Sequence, residues 1–131
     1  MTWTWVDPRV VAAIHGEQLA EHGGAPGLRD PGLLASALAR PKHAMAYRRR
    51  PDLAALAATY ALGLTKNHPF VDANKRVAYV VMRLFLVLNG HDLDAGAAER
   101  VMAMEAVASG ALSEKRLAQW IRRRLVKTAK R

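Results

Sequence analysis

The chain has 131 residues, 51% of them hydrophobic and 24% charged, with no cysteine and a formal net charge of +9. That length suits one domain spanning 1–131, and the apolar fraction supplies a core, which excludes a disordered tail or a collagen-like repeat. The longest apolar run, residues 77–88, is broken by Arg83 and falls short of the roughly 20 residues a membrane span needs, and the absence of cysteine excludes disulfides, a thiolate nucleophile and a cysteine zinc site.

Punctuation by caps and breakers predicts about six helices and little strand. Asp7 followed by Pro8 reads as an N-cap with a first-turn proline, and Val10, Val11, Ile14 and Leu19 form the apolar stripe of a first helix ended by Gly23 and Gly24. The GGAPGLRDPG segment is a turn-rich connector. Leu33, Leu34, Ala37 and Leu38 predict a second helix whose end Pro41 disturbs. A third starts near Asp52 and places Leu53, Leu56, Tyr60 and Leu64 on one face. A fourth runs from Asn74 to Leu88. It is apolar nearly all round, so it is expected to be the buried central helix of the domain. Asn89-Gly90 ends it. Asp94 is a candidate cap for a fifth helix carrying Val101, Met104 and Val107, and Ser113 for a sixth with Leu117, Trp120, Ile121 and Leu125 turned inward. The expected fold class is all-α, a bundle packed around one apolar helix.

The positive charge is concentrated. Arg48, Arg49 and Arg50 form one cluster; Lys115, Arg116, Arg122, Arg123, Arg124, Lys127, Lys130 and Arg131 form another. A basic balance can mark a nucleic-acid partner. Charge runs also occur as solvated faces, and neither cluster carries a base-reading helix signature, so direct nucleic-acid binding is not expected. The N-terminus lacks a basic stretch followed by an apolar one, so no secretory signal is read and a cytoplasmic location is expected.

The chemistry-bearing segment is HPFVDANKR, residues 68–76, which leads into the fourth helix. A helix N-terminus favours an anion through its unpaired N–H groups and its dipole. Lys75 and Arg76 in the first turn oppose that dipole, an arrangement that makes sense when a polyanion binds there. Asn74 can cap the helix and also donate to a phosphate oxygen. Asp72, the lone carboxylate, suits Mg²⁺, which keeps waters and bridges phosphates. His68 is the side chain whose ordinary pKa lies near neutrality, and it can take a proton from an attacking hydroxyl. Phe70 and Val71 are expected to plug the loop into the core. Each residue alone has a structural reading as a loop histidine, a cap or a solvated pair. Together they point to phosphoryl or nucleotidyl transfer. Lys66, just before the loop, is a further candidate for phosphate or target contact.

HPFVDANKR resembles the Fic/Doc signature H-x-F-x-[D/E]-[A/G]-N-[K/G]-R, filled here by His68, Phe70, Asp72, Ala73, Asn74, Lys75 and Arg76. GGAPGLRDPGLLASALARP, residues 23–41, is similar to the upstream segment of the death-on-curing (Doc) branch. The resemblance implies a compact helical core with the motif loop ahead of a buried helix. It implies His68 as general base, Asp72 as Mg²⁺ ligand, and Asn74 and Arg76 as phosphate-binding groups. AMP-transferring members usually carry D-G-N-G-R and often a further arginine. Here Ala73 and Lys75 replace the glycines and Val77, Ala78, Tyr79 and Val80 follow. Doc proteins share the lysine, so the resemblance implies an ATP- and Mg²⁺-dependent kinase that phosphorylates a threonine of bacterial elongation factor Tu, with Lys75 and Arg76 stabilising the transferring phosphoryl group. It also implies a cognate antitoxin whose acidic C-terminal segment inhibits the toxin. AMP transfer to a protein hydroxyl is the first alternative, and a basic nucleic-acid-binding module with degenerate catalysis is the second.

Overall fold

Asp7 accepts a hydrogen bond from the Arg9 amide (2.8 Å) and Pro8 occupies the first turn, which together start α1, Pro8–His22. The structure, a computed structural model, describes residues 2–47 and 51–128; Arg48, Arg49, Arg50, Lys130 and Arg131 of the basic clusters lie outside the described residues. Gly23 ends α1 with a positive φ and an amide bond back to the Leu19 carbonyl. The buried stripe is Val11, Ile14 and His15, while Val10 faces out. A histidine therefore stands on the face that the apolar pattern had assigned to valines and leucines.

Asp30 caps α2, Pro31–Tyr47, by accepting from the Leu33 amide at 3.0 Å. The helix begins two residues before the apolar stripe, with Pro31 in its first turn. It also runs through Pro41 rather than ending there. The proline ring is buried with Ala37, Leu38 and Ala44, and packing on that face keeps the helix going where the missing N–H alone would break it. Asp52 accepts from the Ala55 amide (2.9 Å) to start α3, Leu53–Asn67.

The centre of the fold is shared by α3 and α4, Asn74–Leu88. α3 is the more enclosed, with eleven buried residues from Leu53 to Thr65. Gly63 lets α2 come close, since a Cβ there would stand 3.3 Å from the Ala37 carbonyl oxygen. In α4 the buried set is Val77, Ala78, Val81, Met82, Phe85 and Leu86, a stripe repeating every four residues, while Val87 and Leu88 are 42% exposed. The apolar run was thus expected to be buried on more sides than it is, because α3 occupies the innermost position.

Sequence periodicity misses a small sheet. β1, His91–Leu93, pairs antiparallel with β2, Leu125–Lys127, in the register His91 to Lys127 and Leu93 to Leu125. Three residues are too few to show a two-residue period. Arg83 of α4 forks onto Asp92 of β1 at 2.7 and 3.0 Å. α5, Ala97–Ser109, starts at Gly96 and not at Asp94, whose amide instead donates to the Arg124 carbonyl beside the sheet. Met104 and Val107 are buried and Val101 is exposed. α6, Glu114–Arg124, starts as expected on Ser113, which accepts from the Arg116 amide. The described residues form six helices and a two-stranded sheet, an architecture that is all-α in class. Among the described residues, no helix is long and apolar enough to cross a membrane.

Candidate active site

The loop between α3 and α4 is held by two residues in the left-handed region, His68 (φ 51°) and Ala73 (φ 70°). Neither is glycine, and each such conformation costs about 1 kcal/mol, so the surroundings must enforce it. Arg29 enforces the first: its Nε donates to the His68 carbonyl (2.8 Å) and its Nη2 to the Asn67 carbonyl (3.0 Å), satisfying the end of α3. The connector after α1 runs against the loop as a short antiparallel bridge, Leu28 to Phe70. Amides of Arg29 and Asp30 donate to the Pro69 carbonyl, and the Val71 amide donates to Gly27. What reads as a turn-rich connector is thus one wall of the site.

Phe70 is buried as expected, whereas Val71 turns to solvent, because its backbone is committed to Gly27. The Phe70 ring stacks on His15 of α1, with centroids 3.9 Å apart and planes 12° apart. His15 Nε2 is 3.1 Å from the Asp72 carbonyl oxygen. Asn74 is 5% exposed and is the first residue of α4, not its cap. Its side chain turns back on the loop: Oδ1 accepts from the Phe70 amide (3.0 Å) and Nδ2 donates to the Phe70 carbonyl (2.9 Å). Ala73 fills the cap position and offers no side-chain acceptor. The first N–H groups of α4 therefore keep their capacity for an external acceptor.

Asp72 is exposed, and its Oδ2 accepts from the Ala25 amide (3.1 Å) and its Oδ1 from the Ala73 amide (2.8 Å). The Ala25 amide first, then the Ala73 amide, with Arg76 and His15 adding favourable charge, hold the Asp72 carboxyl below its ordinary value. Gly24 is required here, since a Cβ would lie 2.9 Å from Asp72 Oδ2 and 3.2 Å from Arg76 Nη2. Asp72 and Arg76 are thus brought to the same glycine. Arg76 Nη1 also satisfies carbonyls at the end of α1, Gln18 at 3.3 Å and Gly23 at 3.1 Å. Lys75 turns the other way, onto Glu105 of α5, with both carboxylate oxygens at 2.9 Å. Lys66 is exposed and lies near the end of α5, its Nζ 3.8 Å from where a Cβ on Gly110 would sit. His68 is exposed at the mouth of the loop, and among the described residues its ring meets no hydrogen-bond partner.

The donor set tests what the site can hold. Among the described residues, no three His, Cys, Asp or Glu side chains cluster to form a protein-only metal cage. One ionised, exposed carboxylate fits a hard cation that takes its other ligands from phosphate oxygens and water. Sequence reasoning found the loop but missed the residues that contact it: His15, Gly24, Arg29 and Glu105. His15 had left a trace, falling four residues after Val11 on the apolar stripe. The others lie far away in sequence, and only tertiary packing brings them in.

The Fic/DOC family model matches residues 5–86, more than half the chain and all of the 68–76 loop. The chain is 34% identical over 112 residues to the Protein kinase doc of Escherichia phage P1, covering 79% of this chain and 89% of that protein. It is 40% identical over 88 residues to the Toxin Doc of Mycolicibacterium smegmatis, covering 61% of this chain and 65% of that toxin. Curated relatives from the Doc toxin branch and the family match across the loop agree with the helical architecture: the chain belongs to the Fic/DOC family.

Proposed function

We propose that this chain is a Doc-type toxin that transfers the γ-phosphoryl group of ATP to a Ser or Thr hydroxyl of a translation factor of the elongation factor Tu class. The observation that carries the reading is the convergence of the Asp72 and Arg76 side chains at Gly24, below an α4 N-terminus that no described side chain caps. The relative named a protein kinase supports it. Lys75 stands where AMP-transferring members have a glycine, and its bulk and charge favour the kinase reading over AMP transfer.

In this reading His68 takes the proton of the acceptor hydroxyl. The acceptor oxygen bonds to the γ-phosphorus as the bond to the bridging oxygen breaks, and ADP leaves with that electron pair. Arg76, Lys75 and the first N–H groups of α4 stabilise charge on the phosphoryl oxygens. Lys75 does so after exchanging Glu105 for phosphate. Asn74 acts by fixing the loop, and any donation to phosphate comes from its second Nδ2 hydrogen. Lys66 is a candidate contact for the target. Asp72 would hold Mg²⁺, which would supply positive charge to offset that of the phosphates. A cognate antitoxin with an acidic C-terminal segment is the expected inhibitor, and the cytoplasm the expected location.

Expression in bacteria tests the reading. The wild-type chain should arrest growth and protein synthesis, and His68→Ala and Asp72→Ala, produced at the same level, should not. Arrest by His68→Ala as strong as the wild type's would overturn it.

A further inference from the structure

His15 is the one buried side chain of α1 that reaches the loop with a polar atom. Its Nε2 lies 3.1 Å from the Asp72 carbonyl oxygen, and its ring lies flat on Phe70. A carbonyl oxygen only accepts, so Nε2 carries the hydrogen in this contact. The carbonyl it binds belongs to the peptide joining Asp72 to Ala73. The N–H of that peptide donates to Asp72 Oδ1, and Ala73 beyond it is held in the left-handed region. One peptide plane thus sets both the direction of the Asp72 carboxylate and the start of α4.

We propose that His15 is a positioning residue: by donating Nε2–H to the Asp72 carbonyl while stacked on Phe70, it fixes the 72–73 peptide and so aims the Asp72 carboxylate. The catalytic consequence rests on the kinase reading above. Partners one step removed from a metal ligand commonly change metal affinity or activity about 10–100-fold when lost.

Two variants separate the hydrogen bond from the ring. His15→Gln keeps an N–H donor at comparable reach and loses the stacking. His15→Phe keeps the ring and loses the donor. The first readout is amide hydrogen exchange at Ala73 and Ala25, the two amides that hold the Asp72 carboxylate. His15→Phe should speed both about five- to tenfold, the equivalent of one hydrogen bond, at unchanged exchange in the α3 core, and His15→Gln should stay near wild type. The second readout is the Mg²⁺ concentration for half-maximal phosphoryl transfer, which should rise about 10-fold or more in His15→Phe and be restored in His15→Gln.

Wild-type exchange at Ala73 and Ala25 in His15→Phe would overturn the proposal. So would equal damage in both variants, which would assign His15 to packing alone. If the exchange pattern is as expected but the wild type transfers no phosphoryl group, the kinase reading fails while the positioning of Asp72 by His15 stands.

Discussion

Asn74 offers a prediction that separates holding the loop from holding phosphate. Both polar ends of its side chain are spent on the Phe70 backbone, at 3.0 and 2.9 Å, and Phe70 is itself buried. Replacing Asn74 with alanine removes two hydrogen bonds, each worth about 1 kcal/mol net, and strands the Phe70 N–H and C=O out of water, where an unpaired group costs about 1–3 kcal/mol. Partial relaxation of the loop recovers some of this, so the loss should be about 2–4 kcal/mol. For a chain of this length that lowers Tm by roughly 7–15 °C. Thermal unfolding followed by circular dichroism, with a urea midpoint as a second measure, reads it directly. Asn74→Asp should fall too, because it keeps an acceptor for the Phe70 amide but sets a carboxylate oxygen against the Phe70 carbonyl. If Asn74→Ala loses activity while its Tm stays within about 2 °C of wild type, the argument that this asparagine staples the loop is wrong.

Other expectations follow from neighbouring contacts. Gly24→Ala forces a Cβ to within 2.9 Å of Asp72 Oδ2 at a residue with φ 130°, so it should cost about 1–3 kcal/mol and disable Asp72-dependent chemistry, read by unfolding and turnover on one sample. The Lys75–Glu105 pair is half exposed on both sides, 45% and 59%, so Glu105→Gln should change stability by less than about 0.5 kcal/mol while altering the apparent affinity for ATP, which calorimetry would detect. Hydrogen bonds from the Arg9 side chain, then from its amide, hold Asp7 at about 2, below its ordinary 3.8. A depressed carboxylate stabilises the fold above its unfolded pKa and stops doing so as pH falls through the folded one. The stability gap between wild type and Asp7→Asn should therefore be constant above about pH 5 and close between about pH 4 and 2. A gap that widens on acidification would contradict the sign.

The sequence made local signals legible and left long-range ones hidden. Asp7, Asp52 and Ser113 were readable as caps because a cap is a contact within three residues. The loop was readable because seven fixed residue types fall within nine positions. Pro41 misled, since packing on α2 outweighs the hydrogen bond it removes. The apolar run of α4 overstates its burial because α3, rich in small alanines, packs closer to its neighbours and takes the innermost position, leaving Val87 and Leu88 at the surface. The place of Asn74 at a helix start suggests a cap that also donates to phosphate, while the structure turns its side chain back onto Phe70. His15, Gly24, Arg29 and Glu105 reach the loop from 30 to 57 residues away, as in the His15 contact with Asp72 and the Lys75 contact with Glu105. No local pattern encodes such distances.

The central claim is that the loop at the start of α4 passes a γ-phosphoryl group to a protein hydroxyl. Incubating the purified chain with bacterial elongation factor Tu, ATP and Mg²⁺, then weighing the intact factor by mass spectrometry, tests it most directly. Wild type should add one phosphoryl group to the factor, and His68→Ala none. A gain of one adenylyl group, or an unmodified factor beside a growth-arresting wild type, would contradict it.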